Sequence, residues 1–551
     1  MNRWLLTALG FILLLATALA GLYAGDTALR HGTAVTVPVP GEALALAATY
    51  FPGAQPAGIL LLEGFGSDQT AVRSLASEFA QAGVHVFTVD FSGHGRSPGA
   101  ITFDNAATDV LARQVLAARR TFAELSGLPE AQILLLGHSM GARVALQALT
   151  LDPSPAAGLI LLGAQVNLTP NQQAQVFTGV SDADLPWVQQ LGPDNPPADI
   201  LLLTGAWDDI LPPSAAELLL AQLTDGAPST WARDLIVLDN LVHNYEIYSP
   251  RALALAKTWA AARWQIPLPD AAPTAQRRIV FWVVGLTGLL GAVFAGWRWV
   301  ETRPDTAVSP AWSLTIHNMR TFLLGKLLLW LAAIPFALLL GGIFFLLPLD
   351  LPAFNLYYVV FLGGYGLLMA LLYLRGRMPG VTGRLALGNW RPRAADFRAL
   401  VTDGRFWLAV GIGGLLLAGT AVFAHTGLFT FVTGARLVWA LLFTPVTALG
   451  FAIGLREIQM VSRAAPGKWW PLAATAVIGL IPFFLYTLFL GFLGSISGVL
   501  AGLQGLIILA LVLLAGGLLQ RIGGRLWVTA VLQAFLLYWL VLPVGPLFAT
   551  G

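Results

Sequence analysis

The 551-residue chain contains no cysteine. That absence excludes thiol catalysis, disulfides and cysteine-held zinc or iron–sulfur sites, and it leaves the redox compartment open, since a domain of ordinary size needs no disulfide. Charge is scarce too. Only 11% of residues are charged and 56% are hydrophobic, whereas globular domains usually carry about a quarter charged residues. Two motifs are also missing. Without G-x-x-x-x-G-K-[ST], glycine-rich turns such as SGHGRSPG do not read as phosphate loops, and without H-E-x-x-H the nearby His243 and Glu246 do not read as a metal site. No cofactor and no metal is expected.

What charge there is divides the chain. Residues 26–276 hold 23 acidic and 11 basic side chains, whereas residues 277–551 hold 6 acidic and 19 basic ones. An acidic first part offers no basic face to nucleic acid. The second part is built from apolar runs at about 279–297, 322–347, 355–374, 406–424, 437–455, 470–492, 497–519 and 526–547. Each is near or above the roughly 20 residues that span a bilayer, so 279–551 is expected to be an all-α polytopic membrane domain of eight transmembrane helices. A further apolar run at 5–23, after Arg3, fits a signal anchor or a cleavable signal peptide within 1–24. Its length favours the anchor.

The short loops on alternate sides of these runs hold 17 Lys and Arg against 3, the minority being Arg277, Arg278 and Arg436. Basic loops stay in the cytoplasm. The N-terminus is therefore expected inside, with the first domain on the extracytoplasmic face of the cell membrane. Lys326, Arg436, Arg456 and Glu457 fall near span ends, where long side chains snorkel to water.

Between the first run and the proline-marked linker 267–278, residues 30–266 alternate strand-like and helix-like segments. Strands are expected at 33–38, 43–50, 57–63, 84–90, 132–137, 158–163, 199–204 and 234–238, and helices at 69–82, 106–126, 140–150, 213–224 and 249–264. Only the later strands are separated by helices. This predicts a mostly parallel sheet with helices on both faces and an antiparallel edge at its start. An irregular stretch at 164–198, with Asn167, Pro170, Phe177, Trp187 and Pro193, would form a small cap over the strand ends.

The sharpest signal is ILLLGHSMGARVALQAL at 133–149. An apolar strand runs into Gly137-His-Ser139-Met140-Gly141 and then into a helix, a turn that leaves no room for a Cβ at either glycine and raises the serine hydroxyl above the sheet. Such a serine needs an imidazole to take its proton and a carboxylate to orient that imidazole. Of seven histidines, only His243 follows Ser139 within the first domain, on a loop after the last strand. Acid candidates are Asp208 and Asp209, together on the loop after ILLLTG.

LLLGHSMGARVAL, with LLEGFGSD (61–68), VDFSGHGRSPG (89–99), LTGAWDDILPP (203–213) and LVHNYEIYSP (241–250), resembles the α/β-hydrolase fold family of serine hydrolases over about 230 residues. The resemblance implies Asp208 as the acid, in the fourth place of a G-x-x-D loop, with Asp209 as the alternative. It also implies a backbone oxyanion hole from the N–H groups of Met140 and Phe65. The turn before Phe65 departs from the family: it begins Glu63-Gly64 where His-Gly is commonest. An ionised carboxylate there would oppose an oxyanion, so Glu63 is expected to be turned away or paired.

These readings converge on a membrane-anchored, esterase- or lipase-like serine hydrolase that cleaves acyl esters outside the cytoplasmic membrane. Its expected partners are a small-molecule or lipid-like acyl substrate and membrane lipid. Acyl transfer by the same triad is the nearest rival, with thioester, amide or peptide substrates also open. A non-catalytic transport or scaffold protein with a ligand-binding hydrolase-like domain is the rival from another class.

Overall fold

The computed structural model describes residues 3–549 except 103–104, 153, 165, 167–184, 226–228, 270–273, 302–313, most of 386–433, 493–495, 524–525 and 544. The first part is a sheet of eight described strands, β1 (Thr33–Val37), β2 (Leu46–Phe51), β3 (Gly58–Leu62), β4 (His85–Val89), β5 (Ile133–His138), β6 (Gly158–Leu162), β7 (Ile200–Gly205) and β8 (Arg233–Leu238). Their spatial order is β1-β2-β4-β3-β5-β6-β7-β8. The β1–β2 and β2–β4 pairings are antiparallel and the rest parallel, as the missing early helices require.

Central strands are apolar throughout because both sheet faces are covered. β3, β5, β6 and β7 are buried at every position, whereas the edge strands β1 and β8 are largely open. One face packs on α3 (Asn105–Ser126), α4 (Met140–Leu151) and α6 (Pro213–Thr224), through residues such as Phe122, Leu146 and Leu219. The other packs on α2 (Arg73–Gln81) and α7 (Pro250–Trp264), through Phe79, Leu253 and Ala256. (The label α5 denotes the short turn Pro186–Gln189.) All eight strands and five helices read from the sequence are present to within a few residues at their ends. Most of the expected cap at 164–198, with Asn167, Pro170 and Phe177, lies outside the described residues. Of its remainder, Trp187 is buried beneath the Arg143 guanidinium.

The second part is a stretch of helices fused to this α/β-hydrolase-like domain. It comprises α8 (Thr274–Glu301), α9 (Met319–Phe345), α10 (Leu356–Leu374), α11 (Gly434–Ala464), α12 (Trp469–Phe492), α13 (Ile496–Gly523) and α14 (Leu526–Val541), while α1 (Arg3–Gly25) precedes the sheet. Among the described residues, seven helices are long and apolar enough to cross a membrane. This is the signature of a multi-pass membrane protein. The run expected at 406–424 falls almost entirely outside the described residues. The run at 526–547 is helical only to Val541, after which the chain turns back toward the sheet domain. α1 packs along α8, where a Cβ at Gly288 would collide with backbone of Leu15 and one at Gly291 with the Phe11 ring. Small residues let such helices approach closely in lipid.

Snorkelling is not what the charged residues near span ends do. Lys326 of α9 and Glu457 of α11 instead lie inside, at 3% and 0% exposure, paired with each other. Tyr373 donates to the second Glu457 oxygen at 2.9 Å. A cavity of about 100 Å³ beside them is lined by Trp330, Tyr365 and Gln533 among others, with no residue from the sheet domain. Two of the three arginines that oppose the loop-charge asymmetry are likewise committed. Arg278 pairs with Asp26, and Arg436 donates to backbone carbonyls of Gly93, Gly95, Leu542 and Gly545.

Candidate active site

β5 ends at His138 and α4 starts at Met140, leaving Ser139 alone at the turn with φ 54° and ψ −118°. A non-glycine residue in the left-handed region is strained, and such strain persists only when the surroundings enforce it. They do here. A Cβ at Gly137 would collide with backbone of Gly141, and one at Gly141 with the Glu63 carbonyl. The Ser139 N–H donates to Leu162 O at 2.8 Å, which fixes the turn to β6.

His243 opens a short helical turn, His243–Tyr248, after β8. Its Nε2 is 2.9 Å from Ser139 Oγ and its Nδ1 is 2.7 Å from Asp208 Oδ2. The other Asp208 oxygen accepts from the N–H groups of Ile210 and Leu211 at 3.0 and 2.7 Å, so the carboxylate is held on both sides. All three side chains are buried, at 7%, 2% and 3% exposure for Ser139, His243 and Asp208. Of the two adjacent acids, Asp208 is the one bonded to the imidazole. Glu246 braces the loop from below: its Oε1 accepts from Gly205 N at 2.7 Å at the end of β7.

The surroundings are dominated by burial. His138, next to the serine, has its pKa lowered to about 3 by burial and then by His243, opposed by a hydrogen bond to the His243 carbonyl at 3.1 Å. It is a neutral packing partner, with its ring centroid 4.9 Å from that of His243. Burial and the neighbouring Asp208 push Glu246 well above the usual carboxylate range. Glu63 behaves in the same way. It is fully buried, its Oε1 accepts from Phe91 N at 2.9 Å, and burial with Asp90 and Asp68 raises its pKa well above normal. Burial and the neighbouring carboxylates thus disfavour the ionised form that would oppose an oxyanion. At the Glu63-Gly64 departure the carboxyl is turned onto the Phe91 N–H. Asp90, raised to about 6 by burial and Asp68, accepts from Gln69 and Arg96 and shapes the 90–97 turn behind the site, where His94 is lowered to about 4 by burial.

Met140 is the first residue of α4, so its N–H has no acceptor within the helix and lies at the positive end of the helix dipole. Phe65 follows Gly64, where a Cβ would come 3.2 Å from Ser139 Cβ. The turn carrying Phe65 thus runs against the serine. Trp207, beside Asp208, is exposed. His138, His243 and Glu246 bring ligand atoms within 4.8 Å of one another. Both His243 nitrogens, however, are engaged by Ser139 and Asp208, and the other two residues bond backbone, so the donor set fits a hydrogen-bond network better than a metal. Sequence reasoning missed Glu246 as a brace. It also missed Arg436, Phe354 and Phe548, which reach the site from the helical part. For Arg436 there was a faint signal, since it is one of only three basic residues in the minority set of loops.

Fold and geometry define the class: an α/β-hydrolase domain in which Ser139, His243 and Asp208 form a triad-like arrangement consistent with serine-hydrolase catalysis, fused to several long apolar helices. Comparison with known proteins agrees. Residues 54–199 match the family model described as serine aminopeptidase, S33. An uncharacterized protein of Mycobacterium tuberculosis is 28% identical over 195 residues, covering 33% of this chain and 63% of the relative's own length. Lipase LipV of the same organism is 27% identical over 215 residues, covering 39% of this chain and 70% of that protein. Among solved structures, a monoacylglycerol lipase of Paleococcus ferrophilus superposes with a TM-score of 0.32 at 16% identity, covering 40% of this chain and 99% of that one.

Proposed function

We propose that the chain is a membrane-anchored serine hydrolase that cleaves acyl esters on the extracytoplasmic side of the cell membrane. The observation that carries this reading is the Ser139–His243–Asp208 relay, with links of 2.9 and 2.7 Å. Ser139 attacks the acyl carbonyl while His243 Nε2 takes its proton. Asp208 holds the imidazole in the tautomer that accepts there and stabilises the imidazolium that forms. The N–H groups of Met140 and Phe65 receive the developing oxyanion, a contribution typically worth about 3–4 kcal/mol per donor. His243 then protonates the leaving alcohol, and water, activated by the same nitrogen, releases the acid.

The domain is taken as 30–266 and the linker as 267–278. Lipid-like esters are the favoured substrates, because a lipase is among the relatives and because the site is tethered at a bilayer. The orientation rests on the loop charges. It is supported by the contacts of residues 351, 436 and 547–549 with the sheet domain or with one another, which need those ends on one side of the membrane. Purified full-length protein supplied with acyl esters should release free acid, and Ser139→Ala should not. Absence of Ser139-dependent acid release would falsify the activity. Protection of residues 30–266 from protease added to intact cells would overturn the orientation.

A further inference from the structure

After α14 the chain does not stay with the helices. Leu547 N donates to Gly93 O at 2.9 Å, Ile101 N to Leu547 O at 2.9 Å and Ala549 N to Ile101 O at 3.0 Å, while Phe548 and Leu351 exchange both backbone bonds at 2.7 and 2.9 Å. The terminal segment is thus laced between the 93–101 turn of the hydrolase domain and the connection from α9 to α10. Arg436 of α11 secures the same junction, donating to Gly93 O at 2.6 Å, Gly95 O at 2.9 Å, Gly545 O at 3.0 Å and Leu542 O at 3.1 Å. Gly93 has φ 73°, and a Cβ there would press on Ala100 and on the Leu547 carbonyl, so the turn is shaped to admit this foreign strand.

Three phenyl rings meet at the junction. Phe65, on the turn beside Ser139, lies 5.5 Å from Phe354 and 6.0 Å from Phe548, and those two are 5.8 Å apart. Phe548 is 5% exposed and belongs to the same apolar cluster as Met140. Phe354 is 41% exposed and sits on the α9–α10 connection, just beyond Ile343, Phe345 and Leu346, which are 48%, 60% and 85% exposed. Exposed side chains of this kind at a helix end are in place to meet lipid. Phe354 thus stands on the connection that follows these exposed side chains and meets the Phe65 ring on the turn beside Ser139.

We propose that the helical part completes the active site: Phe354 and Phe548 form the acyl-chain wall beside Phe65, and the preferred substrate is a long-chain lipid ester whose chain enters along that wall from the bilayer. This rests on the serine-hydrolase reading and adds the substrate class and a task for the membrane helices. A hydrocarbon chain gains by leaving water in proportion to the apolar area it covers, so removing one ring of the wall should penalise long chains more than short ones.

The test uses the full chain in phosphatidylcholine nanodiscs with p-nitrophenyl butanoate and dodecanoate. A fluorophosphonate probe titrates the competent serine in each variant. For Phe354→Ala we expect the ratio of kcat/KM for dodecanoate over butanoate to fall about tenfold, the scale of discrimination an apolar pocket contact supplies. Phe354→Leu, which keeps an apolar side chain, should recover most of the ratio. A ratio within twofold of wild type in Phe354→Ala, or an equal loss on both esters, overturns the proposal. Failure of the underlying reading looks different: the wild-type serine then takes no probe and neither ester is hydrolysed.

Discussion

Two buried clusters of ionisable side chains, one in each part of the chain, use similar residues to opposite ends. In the hydrolase domain Asp208, His243 and Ser139 form a line whose last member is a strained hydroxyl bonded to the imidazole. Between the helices Lys326, Glu457 and Tyr373 close on one another, so that each polar group is spent on its neighbour. An arrangement that ends on a nucleophile can do chemistry. One that ends on itself ties three helices together. Burial and ionisability are common to both, so direction is what separates a catalytic cluster from a structural one.

The largest effect that sharpens this contrast belongs to the nucleophile. Ser139→Ala should lower kcat by about 10⁴–10⁶-fold, as triad knockouts do, with the melting temperature of the full chain close to wild type. Next comes the orienting acid. Steady-state kinetics on Asp208→Asn should show a loss near 10⁴-fold, whereas Asp209→Asn should stay within about tenfold of wild type, because Asp208 is the acid bonded to His243 Nδ1. Equal losses in the two would erase the distinction between them.

The helical cluster should respond in stability. Glu457→Gln leaves Lys326 buried without its counter-charge, and breaking such a pair from one side typically costs about 3–5 kcal/mol. Glu63→Gln, at another buried glutamate, replaces a carboxyl whose ionisation burial already disfavours and should cost within about 1 kcal/mol. Thermal unfolding of both variants in one detergent compares them directly. A Glu63→Gln protein as damaged as Glu457→Gln would mean that Glu63 is ionised and salt-bridged.

The smallest predicted effect is a pH dependence. His94 titrates near 4 in the fold because burial disfavours imidazolium, against about 6.5 for an unfolded histidine. Between those values the unfolded chain binds a proton that the folded chain does not, so this group's contribution to stability is lost as pH falls through that window. Asp90, raised to about 6, acts with the opposite sign, but it is present in wild type and variant alike. His94→Gln should therefore lose less thermal stability than wild type between pH 7 and pH 4.5, followed as the temperature at which fluorophosphonate labelling is abolished. An unchanged slope would show that His94 keeps water or a proton in the fold.

Much of the fold was legible because its signals are local. Apolar runs such as ILLLGH and ILLLTG mark strands buried on both faces, and Gly137 and Gly141 mark a turn too tight for side chains. Chain order then reduced seven histidines to one and left two adjacent acids, and the family resemblance chose between them. What could not be read were contacts across long separations. Nothing local to Lys326 or Glu457 tells that the two face each other between helices across 131 positions. Nothing near Phe548 tells that a terminal segment returns to pair with Ile101. The raised pKa of Glu63 belongs to the same class, since it follows from Asp68, Asp90 and burial together.

The central claim is that Ser139 is an activated nucleophile, and fluorophosphonate labelling of the purified full-length protein tests it most directly. The account predicts stoichiometric labelling of wild type at neutral pH, carried by the peptide that contains Ser139, and none in Ser139→Ala. An unlabelled wild type, or equal labelling of Ser139→Ala, would contradict it.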